Sequence, residues 1–324
     1  MNAITPNIEW SRPVRLAMLL CAFGTSLAAA QEPPAQKPAP PSDRVEVPIE
    51  SVAGMIPVAK TLPRDVTDAP IGPPADWAEP PTPRDIPTYL PFGEGEHLRF
   101  SVDYGIINAG GATMTIEGTR RVMGVDCLHI RTEAKSNRFF SQFYKVWDRA
   151  ETFLDPETML PWRFEKKLRE GGYKKDVLVK YDRRKDMAIY TNGDSVSIQP
   201  HVQDELSAFY YVRSLDLEVG KTLYVDSHSN RKNYPLEVIV HRKERVKVEA
   251  GEFDCFVIEP KVREGGIFSA KGTMTIYITD DEWRLPVLMK TKVAVGSVSV
   301  SLQDYTLGRS YARAAAGDPT VAME

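Results

Sequence analysis

Asp148 and Glu151 are the residues whose types and spacing come nearest to chemistry. Two carboxylates set beside Lys145, Trp147 and Arg149 could work as acid and base in a hydrolysis. The same alternation of charged and apolar residues also describes the solvated face of a strand, where such ion pairs contribute little. Asp280, Asp281 and Glu282 form a second acidic group. A hairpin turn accounts for it, because aspartate favours turn positions by bonding its own backbone. Ser229-Asn230-Arg231-Lys232 spells the Ser-x-x-Lys string of penicillin-binding enzymes, but it sits in a polar loop without the accompanying Ser-Asp-Asn and Lys-Thr-Gly elements. No Gly-x-Ser-x-Gly elbow, Walker loop or dinucleotide fingerprint is present. The 5 histidines, at 97, 129, 201, 228 and 241, show no ligand spacing, so neither a metal nor a cofactor is expected and no catalytic residue is assigned.

The aromatic run Phe139-Phe140-Ser141-Gln142-Phe143-Tyr144, with Trp147, is the stronger candidate, and its chemistry is binding. Surplus apolar side chains on a loop can line a ligand cavity, since binding sites combine apolar walls with a few polar fixtures. The opposing reading folds the loop back as core. Phe209, Tyr210 and Tyr211 lie on a second apolar segment that could face the same cavity, and Arg213 is a candidate fixture for an acidic head group. Cys127 and Cys255 occupy matching positions in two similar stretches. An oxidising compartment would permit a disulfide between them, while their strand-like surroundings suit each as a small hydrophobe, and both readings stand.

The elements that must position these residues have a period of two. Leu98, Phe100, Val102 and Tyr104 alternate with polar residues, as do Val298, Val300 and Leu302, which predicts half-buried antiparallel strands. Turn residues punctuate them at Asn108 to Gly111, Glu170-Gly171-Gly172, Asn192-Gly193 and Asp280-Asp281. Residues 98–182 and 223–307 share an order of motifs: Val125-Asp126-Cys127 answers Phe253-Asp254-Cys255, and Leu160-Pro161 answers Leu285-Pro286. An internal duplication with about six strands per repeat is expected. Between the repeats, in a linker spanning 200–216, Asp204 caps a short helix that is apolar on nearly all sides and therefore buried. The expected fold is all-β and mostly antiparallel, an internally duplicated curved sheet or open barrel with one plug helix.

Outside this single β domain of residues 92–310 the composition changes. Arg12 and Arg15 precede an apolar run ending in Ala28-Ala29-Ala30, the pattern of an exported protein's signal peptide over residues 1–30. The run is shorter than the roughly 20 residues that span a bilayer, and an anchor left uncleaved is the alternative. Residues 31–91 are proline-rich and too poor in large apolar side chains to build a core, so a disordered spacer is expected there and a disordered tail over 311–324. A net charge of -3 lacks the basic excess of a nucleic-acid surface.

Phe92-Gly93-Glu94-Gly95-Glu96-His97-Leu98, Ala109-Gly110-Gly111-Ala112, Asp204 to Arg213 and Ala250-Gly251-Glu252-Phe253-Asp254-Cys255 together resemble the bacterial domain of unknown function 3108 family over roughly residues 92–306. The resemblance implies an exported bacterial protein and carries no reaction or cofactor. A fainter likeness, through Asp155 to Pro161 and Asp280 to Pro286, is to the periplasmic lipoprotein-localisation factors, whose open barrels hold acyl chains under a helix. The leading expectation is a periplasmic, non-enzymatic binding or carrier domain for a lipid or other amphiphile. The alternatives are a scaffold that binds an envelope protein through a sheet edge or the proline-rich arm, and a hydrolase of envelope polymers.

Overall fold

The structure, a computed structural model, describes residues 89–262, 274–292 and 296–312. The expected signal peptide, nearly all of the proline-rich spacer and most of the tail lie outside the described residues. The alternating segments form a meander: β2 (His97–Tyr104), β3 (Ile107–Val122), β4 (Val125–Ser136), β5 (Trp147–Asp155), β6 (Leu160–Glu170), β7 (Tyr173–Asp182), β8 (Met187–Tyr190) and β9 (Ser195–Ser197). After the single described α-helix, α1 (Glu205–Ser214), come β10 (Thr222–Ser229), β11 (Lys232–Val248), β12 (Gly251–Val262), β13 (Met274–Thr279), β14 (Pro286–Lys292) and β15 (Ser297–Thr306). Two short strands, β1 (Tyr89–Leu90) and β16 (Tyr311–Ala312), pair with each other. They extend the ordered fold just beyond the expected limits of 92 and 310.

The long meanders join into one antiparallel 14-stranded sheet in which β10 to β15 run in sequence order and then continue into β2 to β9. The join is the β15–β2 ladder, with Val300 opposite Val102 and Leu302 opposite Phe100. β2–β7 and β10–β15 share strand order, and their second strands each carry a register shift, between Ile116 and Thr119 in β3 and between Val240 and Arg242 in β11. Such bulges bend a sheet and increase its twist. The likeness of the two meanders is observed; duplication as its origin is a reading of the sequence alone.

The ladder does not close, and β9 and β10 remain its edges. They are brought together by other means. The Gln203 backbone amide donates to the Asp226 carbonyl at 2.8 Å, and the His228 amide donates to the Gln203 carbonyl at 2.8 Å, a single parallel bridge on the outside of β10. Asn233 adds a side-chain bond to the Ser197 carbonyl at 2.9 Å. The edges thus meet in a seam of loop backbone and side chains.

Inward-facing residues of nearly every strand converge on α1 in one core, from Leu98, Phe100 and Val102 through Ile130, Leu154 and Tyr181 to Val238, Ile258 and Ile278. Asp204 starts the helix as expected, accepting from the amides of Leu206 and Ser207 while the Ser207 hydroxyl accepts from the Asp204 amide. Every residue from Leu206 to Ser214 is buried. Such a helix faces core all round, and its orientation must be set by something directional.

That something is Arg213. Its guanidinium donates to both oxygens of Glu96, at 2.8 and 2.7 Å, and to the carbonyls of Arg284 at 3.0 Å and Trp283 at 3.2 Å. The expected role as a fixture for a ligand head group is therefore corrected. The acidic partner of Arg213 belongs to the protein, and both side chains are buried, at 0% and 1% exposure. Burial opposes the charge, yet the Glu96 carboxylate raises the Arg213 pKa above its ordinary value. Phe92 packs edge-on to Tyr210 at 4.9 Å, and the guanidinium lies over both rings. Gly93 allows this approach loop in, since a Cβ there would sit 1.8 Å from the Arg309 carbonyl.

The disulfide expectation is also corrected: Cys127 and Cys255 are free and buried. Cys127 is on β4 and Cys255 on β12, non-neighbouring strands of the sheet. Cys255 packs with Val257 and Tyr277 in a cluster separate from the main core. Burial pushes both thiols up to about 12, so they stay protonated as small hydrophobes.

Arg213→Met leaves Glu96 buried without a counter-charge and is expected to destabilise the fold by ~3–5 kcal/mol in urea unfolding. The double variant with Glu96→Gln should lose less than the two single losses added together, because the cycle removes the stranded charge. Single losses below ~1 kcal/mol would show that the pair does not constrain the fold.

Candidate functional site

The aromatic run occupies the connection between β4 and β5, and its local geometry sorts its residues. Asn137 starts a helical turn: its Oδ1 accepts from the Phe140 amide at 2.8 Å, and the Tyr144 amide donates to the Phe140 carbonyl at 2.9 Å. Residues four apart share a face of such a turn. Phe140 and Tyr144 therefore point the same way, into a small core with Ala109 and Val146, while Phe139 and Phe143 pair edge-on at 5.5 Å on the other side. Phe139 and Phe143 are 59% and 57% exposed. Trp147, the first residue of β5, is 44% exposed and lies under the Lys135 ammonium at 5.9 Å. The sequence alternatives of binding surface and folded-back core thus apply to different residues of one segment.

The loop is tied to its neighbours. The Asn137 amide donates to the Ala109 carbonyl at 2.9 Å, and its side-chain nitrogen donates to the Asn108 carbonyl at 2.7 Å, which joins the loop to the β2–β3 hairpin. The Gly171 amide donates to the Lys145 carbonyl at 2.7 Å and joins it to the β6–β7 turn. Val146 donates to the Ser136 hydroxyl at 2.9 Å. Gly110 is needed here, because a Cβ would lie 2.0 Å from the Lys135 carbonyl. These connections bring Ile106 and Ile107, also exposed, to the same rim.

Phe209, Tyr210 and Tyr211 are not brought to that rim. They are buried in the main core around α1, and Tyr104 packs against both clusters. Arg213 stays with them. The one face foreseen for all these aromatics is two separate places.

Asp148 and Glu151 are not on a solvated face; both are buried, at 0% and 6% exposure. Asp148 points inward, accepts from the Arg169 amide at 2.8 Å, and is pushed above its ordinary pKa by burial, partly offset by that bond and by Glu170. Glu151 points to the other face, where His129 bonds it at 2.6 Å and Arg149 at 2.5 Å. Burial works against its charge, but these two partners hold it down at about 2. His129 stacks on Phe153 at 4.5 Å, and Glu117 is paired with Arg131 beside it. The two carboxylates therefore do not share a site. Asp281 behaves as a turn aspartate, accepting from the amides of Trp283 and Arg284. Among the described residues, no group of three or more His, Cys, Asp or Glu is placed to hold a metal ion.

Sequence reasoning missed the polar network of the seam. Lys166, 2% exposed, donates to both oxygens of Glu205 at 2.8 Å, and Ser229 bonds the same carboxylate. Asn233 uses its amide nitrogen on Ser197, so its oxygen faces His228 at 2.7 Å and takes the Nδ1 proton. The other ring nitrogen then accepts from the Tyr190 hydroxyl at 2.7 Å, and the Tyr190 oxygen accepts from the Arg231 amide. This is the pattern a neutral imidazole makes. Burial pushes His228 down to about 4. Beside it lies a small cleft lined by Gln199, Val202, Ser227, Asn233 and Tyr234. No single sequence signal marks the network, because its members come from β6, β8, α1, β10 and β11.

The model of a family described as a protein of unknown function, DUF3108, matches residues 99–303. No curated protein matches the chain. Among solved structures, a β-barrel-like protein of the domain of unknown function DUF1849 from Brucella abortus is similar at 10% identity with a TM-score of 0.49, over 67% of this chain and 99% of that one. A DUF1089 family protein from Pseudomonas aeruginosa is similar at 8% identity with a TM-score of 0.31, over 58% and 87%.

A histidine held neutral in the fold contributes stability that is complete above its unfolded pKa of about 6.5 and is lost as pH falls toward about 4. Asp204, which burial raises to about 6, acts with the opposite sign between roughly pH 4 and 6, so the comparison must be differential. Between about pH 6.5 and 4 the urea stability of His228→Gln is expected to fall less steeply than that of the parent. Parallel curves would show that the seam histidine does not govern acid stability.

Proposed function

The chain belongs to the DUF3108 family of proteins of unknown function, and on that premise we propose that it is an exported, non-enzymatic binding domain that takes a lipid or other amphiphile at the aromatic rim. One observation carries the reading. Phe139, Phe143 and Trp147 remain in water although the segment that holds them is bonded to two neighbouring connections and anchored by Phe140 and Tyr144. Exposed apolar area is unfavourable by roughly 25 cal/mol per Å2, and a contiguous exposed patch marks an interaction site. The burial of Phe209, Tyr210 and Tyr211 supports the rim over the barrel interior as the contact.

Export is supported by the sequence before Gln31, and the periplasm is the compartment this reading requires, with an uncleaved membrane anchor as the alternative. The family description names no reaction. A scaffold that recruits a strand at a sheet edge has less support, because Gln203 and Asn233 already engage the edges at the seam.

Binding of a neutral apolar fluorescent probe tests the assignment. Phe139→Ser with Phe143→Ser is expected to weaken it by about tenfold or more while changing urea stability by less than ~1 kcal/mol. Phe140→Ala, which opens the small core, should instead cost ~3–5 kcal/mol. A parent that binds no probe, or a double variant that binds it equally well, would remove the site.

A further inference from the structure

We infer that the amphiphile is met as an anionic bilayer surface, on which this rim of the barrel docks; the inference rests on the amphiphile reading above and names its partner. Alternate hairpins of an antiparallel meander return to the same end, so the β2–β3, β4–β5 and β6–β7 connections lie side by side, and their mutual hydrogen bonds fix them as one edge. Ile106, Phe139 and Phe143 stand on the tips of turns, with Trp147 one strand position behind. Ile106 is completely exposed.

The charged residues along these connections favour an anionic partner. Arg138, Lys145 and Lys174 are exposed on or beside them. Glu133 is offset by a fourth exposed cation, Lys135, at 3.2 Å, and Asp103 keeps its charge while accepting from Asn108 at 3.0 Å, so cations remain in excess along these connections. Lysine and arginine can lay their methylene stems along acyl chains and keep the cation among the head-group phosphates. Tryptophan at the base of apolar tips suits the interfacial layer, where an amphipathic ring has one side apolar and one side wet. Apolar tips on separate turns suit a fluid layer that closes around each of them, and the cations add attraction to anionic lipid.

The full chain, mixed with vesicles whose lipids carry brominated acyl chains, provides the test. Quenching is assigned to the rim as the difference between the parent and Trp147→Phe, so attachment elsewhere on the chain does not mimic it. Vesicles containing phosphatidylglycerol should quench Trp147, whereas pure phosphatidylcholine should do so only weakly. Arg138→Gln with Lys145→Gln should lower partitioning to the anionic vesicles by roughly tenfold, added salt should act in the same direction, and neutral-probe affinity should be unchanged. Absence of Trp147 quenching overturns docking, as would be found if the rim met a protein instead. Equal quenching on both lipids, unaffected by the two substitutions, overturns the anionic partner. Probe binding that Phe139→Ser with Phe143→Ser abolishes, without lipid quenching, sinks the docking alone; failure of the probe to bind sinks the amphiphile reading itself.

Discussion

One buried ion pair sets the frame on which the rest depends. Glu96 comes from the loop ahead of β2, Arg213 from the last turn of α1, and the two carbonyls that complete the guanidinium's partners come from the β13–β14 turn. Three parts of the chain distant in sequence are thereby held to one geometry. A buried pair of this kind is weak as a source of net stability, because desolvation offsets the attraction. Its value is directional. A helix apolar on nearly all sides could roll in a greasy interior at little cost, and a bidentate arginine narrows it to one orientation. The motif around Phe92, Gly93 and Glu96 is explained by the same contact: a ring under the guanidinium, a glycine that lets the loop approach, and the carboxylate itself.

With the helix fixed in the concave side of the sheet, the interior around it is occupied by Phe209, Tyr210 and Tyr211 and the strand residues that meet them. The sheet is completed at a seam of side chains, where Lys166, Glu205 and Ser229 lie beside the His228 network. Lys166 with Glu205, and Tyr190 with His228 and Asn233, satisfy one another there, which is the condition for burying them. Outside that interior, the connection between β4 and β5 carries Phe139 and Phe143 in water, 59% and 57% exposed.

Much of this was legible in the residues. Strict alternation marked the strands, Asp204 marked the helix start, and apolar side chains on nearly all sides of the segment Leu206 to Leu215 foretold burial. The aromatic run was recognised as unusual, but its two faces could not be separated, because a period-two reading has no place for a helical turn inside a loop. Asp148 looked solvated because charged neighbours surround it, yet a strand of a sheet curled around a helix has an inner face, and Asp148 falls on it with Ala150 and Thr152. Arg213 was expected to meet the acidic head group of a ligand; it instead bonds Glu96, a residue that no local pattern ties to it.

Composition and periodicity by themselves determined the class of fold, the capped helix and the turn role of the Asp280-Asp281 segment, since each depends on local backbone preference or on residues close in sequence, while the resemblance to one family rested on particular motifs in order along the chain. Only the tertiary structure decided what each polar or aromatic side chain faces. Glu96 with Arg213, His228 with Tyr190 and Asn233, the separation of Cys127 from Cys255, and the parting of the rim aromatics from the core aromatics all follow from which strands become neighbours and how far the sheet curls. Those long-range pairings are chosen by the collective burial of many side chains, and no residue carries their address in its own type or spacing.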